Sequence, residues 1–185
     1  MAIKTFTTGE VLTASDTNTY LANAGLVYVT STTVGSAVSS VTVSNVFSST
    51  YESYKIVITG GSSSASENVT LKLGASTTGY YDIVMYADTS ATTTPKSVGT
   101  SNGSVFARAG TVSANGFQFN LDVNNPFLAK YTSIGGAYNF EGATSSLGST
   151  SGVHRVASSF TDFTIAPGSG TLTGGTITVY GYRKA

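Results

Sequence analysis

His154 is the only histidine in the chain, and imidazole is the side chain whose unperturbed proton equilibrium lies nearest neutrality. Any Ser-His-Asp nucleophile system must run through it. Serines are abundant and five aspartates are present, but no G-x-S-x-G elbow accompanies them. In GVHRVAS the histidine alternates with Val153 and Arg155, so a structural or exposed strand histidine is expected. One histidine and no cysteine exclude His-His, His-Cys and thiolate metal sites, and disulfides with them. The carboxylates are scattered: Glu10, Asp16, Glu52, Glu67, Asp82, Asp88, Asp122, Glu141 and Asp162. A glycosidase needs two of them facing each other across a sugar, and no spacing flags such a pair. No calcium loop of alternating aspartates is present. PGSGTLTGG has glycines but no following lysine, and it runs into a strand pattern rather than a helix, so it reads as a turn. The expectation is a protein without catalytic residues, metal or cofactor.

Aromatic residues offer binding chemistry instead. Tyr80, Tyr81, Tyr131 and Tyr138, with Tyr180 and Tyr182, combine an apolar ring with a hydroxyl. That combination suits stacking on a sugar ring or a protein interface. It equally suits a half-buried strand position.

The elements that would position these residues are strands. Nine basic residues balance nine acidic ones, so no bulk attraction to nucleic acid or anionic lipid is expected. Charged residues make up 10% of the 185, against roughly 25% in ordinary soluble domains. The hydrophobic fraction of 40%, with 11 Tyr and 9 Phe, nevertheless supports a folded core. No run approaches the ~20 apolar residues of a membrane helix, and MAIKTFTTGE lacks the apolar core of a signal peptide. Period-2 alternation places Phe117, Phe119, Leu121 and Val123 on one face of GFQFNLDV. The same pattern turns Val69, Leu71 and Leu73 inward, then Tyr54, Ile56 and Ile58, then Ile177, Val179 and Gly181. Further strands are expected in LVYVTSTTV, VSSVTVSNVF, YYDIVMYA, SVFARAG, FLAKYTSI, AYNFEG, GVHRVAS and TDFTIAP. TGGSSSAS, TSNGS, SANG, VNNP, SSLGSTSG and PGSG read as turns between them. About ten short strands at this spacing predict an all-β, antiparallel, jelly-roll-like β-sandwich over residues 26–185, with a single rolled barrel as the alternative.

Residues 1–25 differ. Thr13-Ala-Ser-Asp16 fits a capping box ahead of Tyr20 and Leu21, and Gly25 could supply a left-handed stop. The predicted helix is about ten residues long, below the ~12–15 at which an isolated helix is even marginal. Leu12, Tyr20, Leu21 and a few alanines give it little to bury. It must lie against its own sandwich or another protein.

FTTGEVLTASDTNTYLANAGLVYV resembles the N-terminal arm of tailed-bacteriophage structural proteins, in which a T-x-G-E-V-L-T-A-S-D-x-N-x-Y-L pattern recurs. VSSVTVSNVFSSTYESYKIVITG is similar to the start of a β-sandwich in those proteins, and FTDFTIAPGSGTLTGGTITVYGYRKA to their closing segment. The resemblance covers roughly half the chain and leaves residues 80–152 unmatched. It implies a non-enzymatic protein on the phage particle surface, in a tail-fibre, minor-tail or head-decoration role. The arm would dock on other virion proteins, tail or capsid subunits, through Phe6, Val11, Leu12, Asp16, Tyr20 and Leu21. The resemblance also implies a homo-oligomer, a trimer by analogy with phage jelly rolls, and a host cell-surface glycan as ligand for the sandwich. No nucleic acid and no membrane insertion are implied, and a free-standing carbohydrate-binding module is the more distant reading.

Overall fold

The computed structural model describes residues 7–16, 25–89, 94–142 and 145–183. Among these residues, a helical turn, α1 (Ala14–Asp16), is followed by fourteen strands. The first seven are β1 (Leu26–Thr33), β2 (Val41–Val43), β3 (Ser53–Thr59), β4 (Ser62–Ser63), β5 (Glu67–Leu73), β6 (Tyr80–Asp88) and β7 (Pro95–Gly103). The remainder are β8 (Phe106–Ser113), β9 (Gly116–Asn124), β10 (Lys130–Phe140), β11 (Ser146–Ser158), β12 (Phe163–Pro167), β13 (Leu172–Thr173) and β14 (Thr176–Tyr182).

Antiparallel pairing builds one broad layer in the order β1-β14-β3-β9-β10-β11-β6-β7. A smaller layer runs β2-β12-β5-β8, and the β8–β9 hairpin carries hydrogen bonding continuously from one layer to the other. The chain passes repeatedly between layers, which makes this an antiparallel, jelly-roll-like sandwich. The strand periodicity explains why the layers meet. Tyr54, Ile56 and Ile58 of β3, Phe119, Leu121 and Val123 of β9, and Ile177 and Val179 of β14 are buried against Val69, Leu71, Leu73, Phe163 and Ile165. Burying each such side chain contributes about 1.5–3 kcal/mol. Phe47 bridges the layers, 4.8 Å from Tyr54 and 5.7 Å from Phe163 by ring centroid.

Several expectations need correction. FLAKYTSI and AYNFEG form not two strands but the single β10, and SSLGSTSG is largely the first half of β11 rather than a turn. Close packing, not turning, demands small residues there. A Cβ on Gly148 would lie 1.9 Å from the Met85 carbonyl, and one on Gly152 would lie 2.9 Å from the Phe106 ring. TSNGS falls mostly inside β7, a strand not expected from the sequence. Of VSSVTVSNVF only Val41–Val43 is a strand. Beyond it Val46 and Phe47 turn inward, their amides donating to the Thr161 carbonyl.

Within the arm, Thr13 and Asp16 form the expected reciprocal box. The Asp16 amide donates to Thr13 Oγ1 at 3.1 Å, and the Thr13 amide and hydroxyl donate to Asp16 Oδ2 at 3.1 and 2.6 Å. Phe6, Tyr20 and Leu21, and most of the predicted helix, lie outside the described residues. Gly25 has a φ of +85° and leads into β1, its carbonyl accepting from the Arg183 amide at 3.2 Å.

Candidate binding face

Side chains alternate across a strand, so the residues of the broad layer that do not enter the core share its outer face. Register fixes one row across all eight strands: Tyr28, Tyr180, Lys55, Asp122, Gly135, Ser151, Ile83 and Gly99. The neighbouring row holds Ser53, Asn124, Ser133, Val153 and Tyr81.

Where small residues fill the middle of these rows the face sinks into a trough of about 420 Å3, lined by Tyr81, Asp82, Ile83, Ser133, Ser151, Gly152 and Val153. Tyr81, Ile83 and Val153 give it apolar walls, and Ser133 and Ser151 supply two hydroxyls. Ile83 is 45% exposed and Met85, further along β6, 63%. At one end the Arg155 guanidinium lies 4.3 Å from the centroid of the Tyr81 ring, a cation–π arrangement that orients both side chains. Beneath the trough the Asp82 carboxylate points inward. It accepts from the Ala107 amide at 2.8 Å and from Arg108 Nη1 at 3.2 Å, its side chain wholly enclosed.

The opposite flank is polar. Lys55 Nζ donates to both Asp122 oxygens at 3.2 and 3.3 Å, and the Tyr182 hydroxyl donates to Asp122 Oδ1 at 2.5 Å. The hydrogen bond donated to Asp122 holds the proton on the phenol, and with some burial and the repulsion of the carboxylate's charge it pushes the Tyr182 pKa up to about 12. Tyr28 packs edge-on to Tyr180 at 6.3 Å.

The four tyrosines singled out in the sequence do not converge. Tyr80 is fully buried, its hydroxyl accepting from the Leu73 amide at 2.9 Å and its ring 4.9 Å from Phe106. Tyr138 is buried too and donates to Asn68 Oδ1 at 3.0 Å. Neither can meet a ligand, because each sits at an inward position of its strand. Tyr81 lines the trough, and Tyr131 is exposed where the β10–β11 register slips. No protein-family model, no curated protein and no solved structure matches the sequence.

His154 is buried between Tyr80 and Phe160, at 4.4 and 5.3 Å. Its Nε2 lies 2.8 Å from Ser76 Oγ and 3.1 Å from the Thr78 carbonyl. A carbonyl only accepts, so the tautomer that satisfies Thr78 carries its proton on Nε2. In that tautomer Nε2 has no lone pair to take the Ser76 proton; in the other, Nε2 accepts from Ser76 and the Thr78 carbonyl is left unmet by the ring. Burial pushes the imidazole pKa below its usual value, against the opposing pull of the Thr78 and Val156 backbone.

The carboxylates are engaged separately: Asp88 with Lys96 and Ser146, Glu141 with Ser113 and Asn115, and Glu67 with Ser169. Hydrogen bonds from Ser113 and Asn115 hold the Glu141 pKa below the ordinary range. No cluster able to hold a metal ion occurs among the described residues, and no helix there is long and apolar enough to cross a membrane.

The arm presents a second surface. Thr7 and Glu10 close a turn through the Glu10 amide and the Thr7 carbonyl at 3.0 Å, with Gly9 at φ +87°, a conformation glycine adopts without strain. Between this turn and the capping box stand Val11, 78% exposed, and Leu12, 50% exposed. Sequence reasoning singled out both. It missed the trough, whose only sequence signal is that small residues in β10 and β11 fall side by side once the register is known.

Proposed function

We propose that the chain is a non-enzymatic virion structural protein of a tailed bacteriophage. Its N-terminal arm attaches it to other virion subunits, and its sandwich faces outward in a tail-fibre or tail-tip role. The observation that carries this reading is the contrast between a sandwich with an internal core and an arm whose local order displays Val11 and Leu12 to solvent. Local hydrogen bonds at Thr7–Glu10 and Thr13–Asp16 pre-shape the segment, which lowers the ordering cost of docking. The arm motif and the resemblance of the terminal blocks supply the phage assignment. Host-glycan recognition falls to the exposed tyrosines Tyr28, Tyr131 and Tyr182, with the half-exposed Tyr180 beside Tyr28.

Head decoration is the second reading, favoured by the breadth of the outer face. Eight strands at the usual spacing span about 34 Å, enough to rest across a seam between neighbouring subunits. The test is an image reconstruction of the intact particle combined with mass spectrometry of purified virions. Density for the sandwich at the tail supports the first reading, density over the capsid the second, and absence of the chain from particles rejects both.

A further inference from the structure

We propose that the corner of the broad layer around Tyr182 is a subsite for one neutral hexopyranose unit, with the Tyr182 ring as its floor. The inference rests on the glycan-recognition reading, and it names the site among the exposed tyrosines and the class of sugar.

The floor follows from register. Strand side chains ordinarily stand roughly perpendicular to their sheet, and Tyr182 cannot. It leaves β14 one position beyond the Gly181–Tyr54 pair, beside Ser53 of β3, yet its hydroxyl reaches Asp122 Oδ1 on β9 at 2.5 Å. Because β3 lies between β14 and β9, the side chain crosses two strand spacings, about 9.6 Å. Only a tyrosine laid along the sheet covers that distance. One ring face therefore rests on the sheet and the other is turned outward, which accounts for the 36% exposure of the residue. An apolar ring face bordered by polar groups suits the C–H face of a pyranose. The bond to Asp122 fixes the ring before any ligand arrives, which lowers the ordering cost of stacking.

The rim decides the class. Among the described residues, Asp122 Oδ1 accepts from Lys55 and Tyr182, whereas Oδ2 accepts from Lys55. A carboxylate oxygen has two lone-pair sites, so Oδ2 can take a sugar hydroxyl as well. On the β1 side Leu26, paired with Tyr182, and Tyr28, 59% exposed, form an apolar border. The Lys55 charge is compensated by Asp122 at 3.2 Å. Paired in this way, the two groups can bond hydroxyls but offer an anionic sugar no net attraction.

Saturation-transfer NMR on the full-length chain tests the site. The probes are the methyl pyranosides of glucose, galactose and mannose, with methyl glucuronide as the anionic counterpart of the glucoside. At least one neutral glycoside is expected to receive saturation at its ring C–H protons, and the glucuronide to bind no more tightly than the glucoside. Tyr182→Ala should weaken the binding about tenfold. Tyr182→Phe keeps the ring and loses its bond to Asp122, and should weaken it about threefold. A thermal melt of each variant shows that the sandwich is intact, and the near-isosteric Tyr182→Phe carries the test if Tyr182→Ala melts early. Binding unchanged in either folded variant overturns the proposal, and so does tighter binding of the glucuronide. Binding that falls with Tyr131→Ala instead rejects this site and leaves the glycan reading standing. If no probe binds, the site is overturned, and retention of the wild-type chain on host-cell polysaccharide then tells whether the glycan reading falls with it.

Discussion

The arm and the sandwich are ordered by opposite means. In the sandwich, long-range burial dominates: Tyr54, Leu71, Leu121 and Phe163 come from strands far apart in sequence and are fully enclosed. Among the described residues of the arm, 7–16, the hydrogen bonds seen are local. Thr7 bonds Glu10 and Thr13 bonds Asp16, each pair three residues apart, while the apolar residues between them face water. A region held by burial is complete by itself. One whose described residues are held by short-range hydrogen bonds while Val11 and Leu12 stay exposed fits the attachment role proposed for it.

The strongest way to break that contrast is to attack the sandwich from inside. Arg108→Met leaves the enclosed Asp82 carboxylate with only the Ala107 amide. Removing one partner of a buried ion pair costs about 3–5 kcal/mol, so denaturant unfolding should give an unfolding free energy lower by that amount. Leu121→Ala should cost about 2–5 kcal/mol by opening a cavity, read by the same measurement.

A smaller effect comes from His154. Its folded pKa is lowered, chiefly by burial, so the folded state resists protonation. Above the unfolded value of about 6.5 both states are neutral and stability is full. As pH falls below it the unfolded chain takes up the proton first, and stability declines until the folded pKa is passed. Thermal melts from pH 8 to pH 5 should therefore show a decline that His154→Gln reduces.

Thr13→Ala sharpens the contrast from the other side. Losing a cap costs about 0.5–2 kcal/mol of local helix stability, yet the sandwich melting temperature should not move. Amide exchange should accelerate at residues 14–16 alone. Smallest of all, Asp122→Asn should return the Tyr182 phenol from about 12 toward 10, read by ultraviolet titration, with little change in stability because the network is partly exposed.

Most of the sandwich was legible in the sequence because alternation is strict where both layers meet, as in β3, β9 and β14. It failed in β11, where Gly148 and Gly152 look like punctuation but answer to Met85 and Phe106 in neighbouring strands. The candidate site was legible in part. The Thr13–Asp16 box follows from local chemistry, as does Tyr81 as an available ring, whereas Val11 and Leu12 were singled out through the resemblance of the arm. Tyr80 and Tyr138 were misplaced because a tyrosine's sequence neighbours do not reveal whether its hydroxyl has a buried partner, here Leu73 and Asn68. The trough could not be read at all, since Ser133, Ser151 and Tyr81 meet only through register.

The central claim, that the arm acts between subunits and not within its own fold, is tested most directly by deleting residues 1–25 and measuring both melting and incorporation into particles. The account predicts an intact cooperative melt for the remaining sandwich and loss of the chain from purified virions. A truncated chain that incorporates at the wild-type level would contradict it.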